Sequence, residues 1–120
     1  MQATRNLGVV LLALAVTACV AIETQPPRDG NECLLARVGG VVAADPEVGV
    51  GLRDGDGVIH RTLWPFGFTA YRDLGGVRIV DDKGRIVAGE GDEIATAGFT
   101  DEDGVKHPCG PIEIVNRAGT

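Results

Sequence analysis

The sequence predicts a small all-β domain, its sheet curled into a closed or partly open barrel. Three observations carry the prediction. From Leu34 onward, apolar runs alternate with clusters of Gly, Asp and Pro, the spacing of short strands joined by tight turns. Over the same region no stretch of ten or more residues keeps helical periodicity without a Gly or Pro inside it. The Gly39-Gly40 pair, inside the first and longest run, implies the bulge or sharp bend that curls a small sheet and hides its edges.

The strands follow in order. Residues 34–43 (LLARVGGVVA) form the first, and an Asp-Pro pair follows it. Residues 48–53 (VGVGLR) and 58–63 (VIHRTL) flank Asp54-Gly55-Asp56-Gly57, where Gly supplies the positive φ of a hairpin loop. Residues 69–72 (TAYR) come after the stretch 64–68, whose Pro and Gly interrupt any regular strand. Residues 77–80 (VRIV) and 85–88 (RIVA) flank a second hairpin turn of the same logic, Asp81-Asp82-Lys83-Gly84. Residues 93–97 (EIATA) and 112–115 (IEIV) complete the set.

Ahead of the domain, residues 1–18 read as a signal peptide: Arg5, then the ten apolar residues 7–16 (LGVVLLALAV), then small residues. Ten residues of helix span about 15 Å, roughly half a hydrocarbon core, too short for a permanent transmembrane helix. The ending Val16-Thr17-Ala18-Cys19 resembles the bacterial lipobox, an aliphatic residue and two small ones before a cysteine. That resemblance implies that the Cys19 thiol accepts a diacylglyceryl group and that cleavage makes Cys19 the new N-terminus. Lipid then holds the chain on the outer face of the cytoplasmic membrane, or in the periplasm at an outer membrane. Residues 19–32, with Pro26-Pro27 and Asp29-Gly30, read as the lipidated N-terminus and a flexible tether, and 33–120 as the domain. The thirteen residues 20–32 reach at most about 45 Å when fully stretched.

Composition narrows the function. Seventeen Asp+Glu against eleven Lys+Arg give a net charge of −6, and loss of Arg5 with the signal leaves ten basic side chains, hence −7. Such a chain is repelled by phosphate backbones, so nucleic acid is excluded as a partner. The sequence contains no Ser, and its carboxylates sit mainly in turn-like segments, so no catalytic residue is expected. Gly49, Gly51 and Gly55 precede no helix and lack the context of a phosphate cradle. The only methionine is Met1 and no C-x-x-C-H occurs, so a Met-rich copper site and covalent c-type haem lack their ligands and no cofactor is expected. With Cys19 acylated, Cys33 and Cys109 remain, and in an oxidising extracytoplasmic space they pair as a disulfide near the two ends of the domain.

The segment 77–98 contains D-x-x-G-R-I-V-A and E-G-D, and Trp64-Pro65-Phe66 precedes it. Together these resemble a pattern in small uncharacterised bacterial lipoproteins. The resemblance implies a compact OB-like barrel bracketed by two cysteines, a position that Cys33 and Cys109 match; it brings no catalytic residues.

Among candidate sites, Trp64, Phe66, Phe68 and Tyr71 place four of the five aromatics within eight residues. They are read either as a plug for a core short of large side chains or as a recognition surface for a glycan, peptide or protein. Phe99 is read as core. His60 and His107 have the chemistry of metal ligands or acid–base groups, but two isolated histidines favour a structural or solvated role, and no metal is assigned. The clusters Asp54/Asp56 and Asp101-Glu102-Asp103 resemble calcium loops only superficially: after Asp56 the next ligand position is Val58, and Gly follows each cluster as a turn requires. The expectation is a lipid-anchored, non-catalytic binding module for an envelope protein or glycan. The alternatives are a small-ligand or metal carrier and an accessory envelope enzyme.

Overall fold

The computed structural model describes residues 18–27, 33 and 36–119; the signal peptide up to Thr17, residues 28–32 of the tether and Leu34-Leu35 of the first strand lie outside them. Among the described residues there is no helix. The strands are β1 (Ala18–Val20), β2 (Arg37–Asp45), β3 (Gly49–Arg53), β4 (Ile59–His60), β5 (Thr69–Asp73), β6 (Gly76–Val80), β7 (Ile86–Gly89), β8 (Glu93–Thr100), β9 (Lys106–Pro108) and β10 (Glu113–Asn116). All eight expected strands have counterparts, and β1 and β9 are additional.

The strands form two antiparallel sheets, one of four strands in the order β1-β5-β6-β7 and one of six in the order β10-β8-β2-β3-β4 with β9 also on β8. The all-β class is as expected, and among the described residues the strands close no single continuous barrel. Strands β5, β6 and β7 are a local meander whose short turns pair neighbours first, and the free edge of β5 takes β1. Strand β4 is only two residues long, and just beyond it the chain makes two isolated parallel bridges, Thr62 with Lys106 and Trp64 with Thr24.

Period-two alternation builds the core. In β8 every second residue, Ile94, Thr96 and Gly98, is buried, and in β6 Val77 and Ile79 are fully buried. These join Val38, Val42, Val50, Leu52, Ala70 and Ala88 around Trp64, whose exposure is 0 %. The other members are aliphatic and mostly small, so the indole fills the centre. Of the bulge or sharp bend expected at Gly39-Gly40, the bulge is not there: both ladders of β2 run without a register shift, and the shifts fall instead at Ile79/Val80 and Ile114/Asn116. The glycines serve close approach. A Cβ on Gly39 would lie 2.6 Å from the Ile94 carbonyl oxygen, and one on Gly40 2.7 Å from that of Arg53.

Over 19–27 the chain is not a free tether, and Ala18, read as the last residue of the signal peptide, lies in the same strand as Cys19. Strand β1 pairs with β5, Val20 and Ile22 pack against the core, and the Trp64 N–H donates to the Glu23 carbonyl at 2.9 Å. Gln25 is buried, and its Nε2 donates to the carbonyls of Leu63 and Pro108, both at 2.7 Å. A side chain that joins two separated backbone segments holds the whole stretch down. Close by, Cys33 and Cys109 form the expected disulfide, with Cα atoms 5.5 Å apart and a sequence separation of 76. In the chain-entropy model a loop of that length stabilises the fold by about 4 kcal/mol.

Candidate functional site

Three places in the fold hold the residues singled out by sequence: the aromatic stretch with the groove beside it, the acidic hairpins with their histidines, and the edge strand that contains Cys19.

The four aromatics do not form one surface. Trp64 is entirely buried and its Nε1 donates to the Val50 carbonyl at 3.0 Å, so it belongs to the core and not to a recognition surface. Phe68 is half-buried against the core, Tyr71 lies half-buried in β5 opposite Cys19, and Phe66 alone is strongly exposed, at 55 %. Pro65 and a positive φ at Gly67 turn the chain between them, which is why neighbours in sequence diverge in space. Beside Phe68 an open groove of about 830 Å³ runs between β7 and the segment that links β9 to β10. Its apolar floor is Phe68, Val87, Ile112 and Ile114, with Ile86 exposed at its lip and Cys109 at one wall. At the polar rim, Arg85 Nε donates to Asp81 at 3.1 Å. The backbone N–H of Arg85 is the main influence that holds the Asp81 carboxyl below the ordinary aspartate range; the Lys83 N–H and the Arg85 side chain add to it, against the opposing effect of burial.

The acidic clusters are turn machinery. Asp54, Asp81 and Asp101 each start the same hairpin: the aspartate N–H donates to the carbonyl four residues on at 2.9 Å, and its Oδ1 accepts the N–H groups two and four residues on. The fourth residue is Gly57, Gly84 or Gly104, with φ of 86°, 81° and 80°. In two of the three the second carboxylate oxygen takes a histidine. His60 Nε2 lies 2.6 Å from Asp54 Oδ2 and His107 Nε2 2.9 Å from Asp101 Oδ2. These histidine bonds are the largest cause of lowered pKa for Asp54 and for Asp101. His60 Nδ1 also meets the Gly104 carbonyl at 3.1 Å, so this ring joins one hairpin to the other. His107 stacks on Phe99 with ring centroids 4.3 Å apart and an interplanar angle of 7°. Phe99 is therefore not in the core as expected: it lies half-buried on the opposite face of β8 from Ile94 and Thr96, across from His107 in β9. Among the described residues no three His, Cys, Asp or Glu side chains converge on a point where a metal ion would sit.

Sequence reasoning missed the histidine pairing, although a signal was present: D-x-D-G-V-x-H occurs twice, at 54–60 and 101–107. Gln25 left no comparable signal, because a glutamine beside Pro-Pro reads as solvated.

Cys19 is exposed and has no disulfide partner; in β1 it lies opposite Tyr71, while the next residue, Val20, packs inward opposite Ala70. Cys19 and Tyr71 thus share the outer face of the four-stranded sheet. No protein-family model, curated protein or solved structure matches the chain.

Proposed function

We propose that the protein is a lipid-anchored extracytoplasmic lipoprotein whose β domain is a non-catalytic binding module. The observation that carries the reading is Val16-Thr17-Ala18-Cys19 at the end of a ten-residue apolar run, with an exposed cysteine at that position. The Cys33–Cys109 disulfide fits an oxidising compartment. The groove beside Phe68 is the binding surface in this reading. Its volume falls within the range of ligand sites, its floor is apolar, and exposed Phe66 adjoins it through Pro65 and Cys109. The ligand is an extended envelope peptide or glycan, for which aromatic and aliphatic walls supply contact area. The same groove also favours a second reading, a carrier of a small apolar molecule.

The six-stranded sheet is, in our reading, OB-like. Strands β2, β3 and β4 pair in succession, β8 returns to β2, and β9 lies on β8. The parallel bridge of Thr62 with Lys106, with its two backbone bonds at 2.9 Å, links the chain after β4 to β9 and supports a circuit that runs back to β2. The resemblance to small bacterial lipoproteins, through Trp64-Pro65-Phe66 and the segment 77–98, points the same way.

The anchoring is tested by intact mass and fractionation: the expected result is an acylated chain beginning at Cys19 in membranes, and a Cys19→Ala form released from them. An unmodified full-length chain in cytosol overturns it. For the groove, a photoreactive residue at Phe66 is expected to form a specific protein or glycan adduct in living cells, and loss of that adduct in Ile112→Asp assigns it to the groove. No adduct from a stably folded variant rejects this surface.

A further inference from the structure

We propose that the edge of the four-stranded sheet formed by β1 and the β5–β6 hairpin rests on the lipid bilayer, with Leu74 at the boundary between headgroups and acyl chains. The inference depends on the lipoprotein reading and adds to it the face that the domain turns to the membrane. Register supplies the first step. Ala18 pairs with Arg72 and Cys19 with Tyr71, so β5 runs on past Cys19 to Asp73 and turns at Leu74-Gly75. Cleavage before Cys19 removes Ala18, and the hairpin tip then projects about 10 Å beyond the acylated residue, three residues at about 3.4 Å each.

The second step is the missing slack. A free tether over 20–32 would let the domain stand tens of ångströms away from the membrane. From Val20 to Gln25, however, the chain is fixed: Val20 and Ile22 pack on the core, Thr24 bridges to Trp64, and Gln25 is clamped between Leu63 and Pro108. One peptide unit, about 4 Å, separates the acylated Cα from the first fixed residue. Acyl chains in the bilayer therefore pull this edge to headgroup level.

The third step is what the edge presents. Leu74, at 91 %, is the most exposed large hydrophobic residue among those described. One exposed leucine needs no explanation by itself, but this one sits at a hairpin tip beside the anchor. Tyr71, on the same face as Cys19, has the amphipathic ring that suits an interface. Charge around the tip cancels: Arg78 Nε is 3.2 Å from Asp73, and Arg72 lies 3.8 Å from Glu90. The chain as a whole is acidic and is repelled by anionic lipid, and this locally neutral edge approaches without that penalty.

The test uses the mature acylated protein, residues 19–120, reconstituted in vesicles of phosphatidylethanolamine and phosphatidylglycerol, with an environment-sensitive fluorophore on Leu74→Cys or on Lys83→Cys. Lys83 lies in the turn at the other end of β6 and serves as the distant site. Trp64 emission reports that each labelled variant is folded. The expected result is a blue-shifted emission and a several-fold lower iodide quenching constant at position 74 only, with acyl mass on Cys19. An acylated protein whose label at 74 stays solvent-like, or whose labels at 74 and 83 shift equally, overturns the proposed face while the lipoprotein reading stands. Absence of acyl mass on Cys19 removes the lipoprotein reading and this inference with it.

Discussion

Trp64 and Phe66 are two residues apart and have opposite roles. The indole fills the centre of a core otherwise built from valine, alanine and a few larger aliphatics, and it hydrogen-bonds Val50; the phenyl ring is more than half exposed. Trp64→Ala is expected to cost about 3–5 kcal/mol, the range for deletion of a large buried ring, and Phe66→Ala less than about 0.5 kcal/mol. Urea midpoints of the two variants check this, and equal losses would mean that the aromatic stretch acts as one unit after all. The sequence made the concentration of rings plain but not their fates. A tryptophan is covered by whatever chain crosses it, and part of this cover, Glu23 to Gln25, lies in a stretch with the composition of a linker.

Hairpins are the element most legible in the sequence. Asp-x-x-Gly between β-branched runs marked the β3–β4 and β6–β7 turns, and both adopt the same bonding. The β8–β9 hairpin uses the same chemistry, but β9 is three residues, Lys-His-Pro, too short and too polar to read as a strand. Glycine roles can be separated here. Gly57 and Gly55 both have open space around a built Cβ, but only Gly57 has a positive φ, of 86°. Gly57→Ala is expected to lose about 1–2 kcal/mol and Gly55→Ala close to nothing, as thermal unfolding will show. The aspartates also set the acid response. Asp54, Asp73, Asp81 and Asp101 have pKa values below the ordinary one in the folded chain, so the unfolded chain binds protons first as pH falls. Their stabilisation is complete above about pH 4 and disappears as pH drops through the lower folded values. Denaturant midpoints from pH 6 to pH 2 are expected to fall, and Asp101→Asn, weaker at pH 6, is expected to lose less over that interval.

At the scale of the whole molecule, alternation of apolar residues told which face of each strand is inward but not which edges meet. Edge pairing depends on long-range partners, and here a decisive partner came from outside the predicted domain. The stretch 18–25 begins as an edge strand of the four-stranded sheet and ends with Gln25 clamped to Pro108 of the six-stranded sheet's β9, so it fastens one sheet to the other. If that is its role, removal should weaken the junction more than either sheet. Gln25→Ala leaves two carbonyls without this donor and is expected to cost about 1–3 kcal/mol. A chain starting at residue 28 is expected to lose more, because Val20 and Ile22 leave the core and β5 becomes an open edge. Amide hydrogen exchange separates fastening from general loss of stability: protection in β5 should collapse in the truncated chain, while β2 and β8, paired with each other in the centre of their sheet, keep a protection set by the new global stability. Unchanged β5 exchange and an unchanged denaturation midpoint would return residues 20–27 to the role of a linker. The domain would then stand off the membrane on that linker, and the hairpin at Leu74 would lose its reason to lie there.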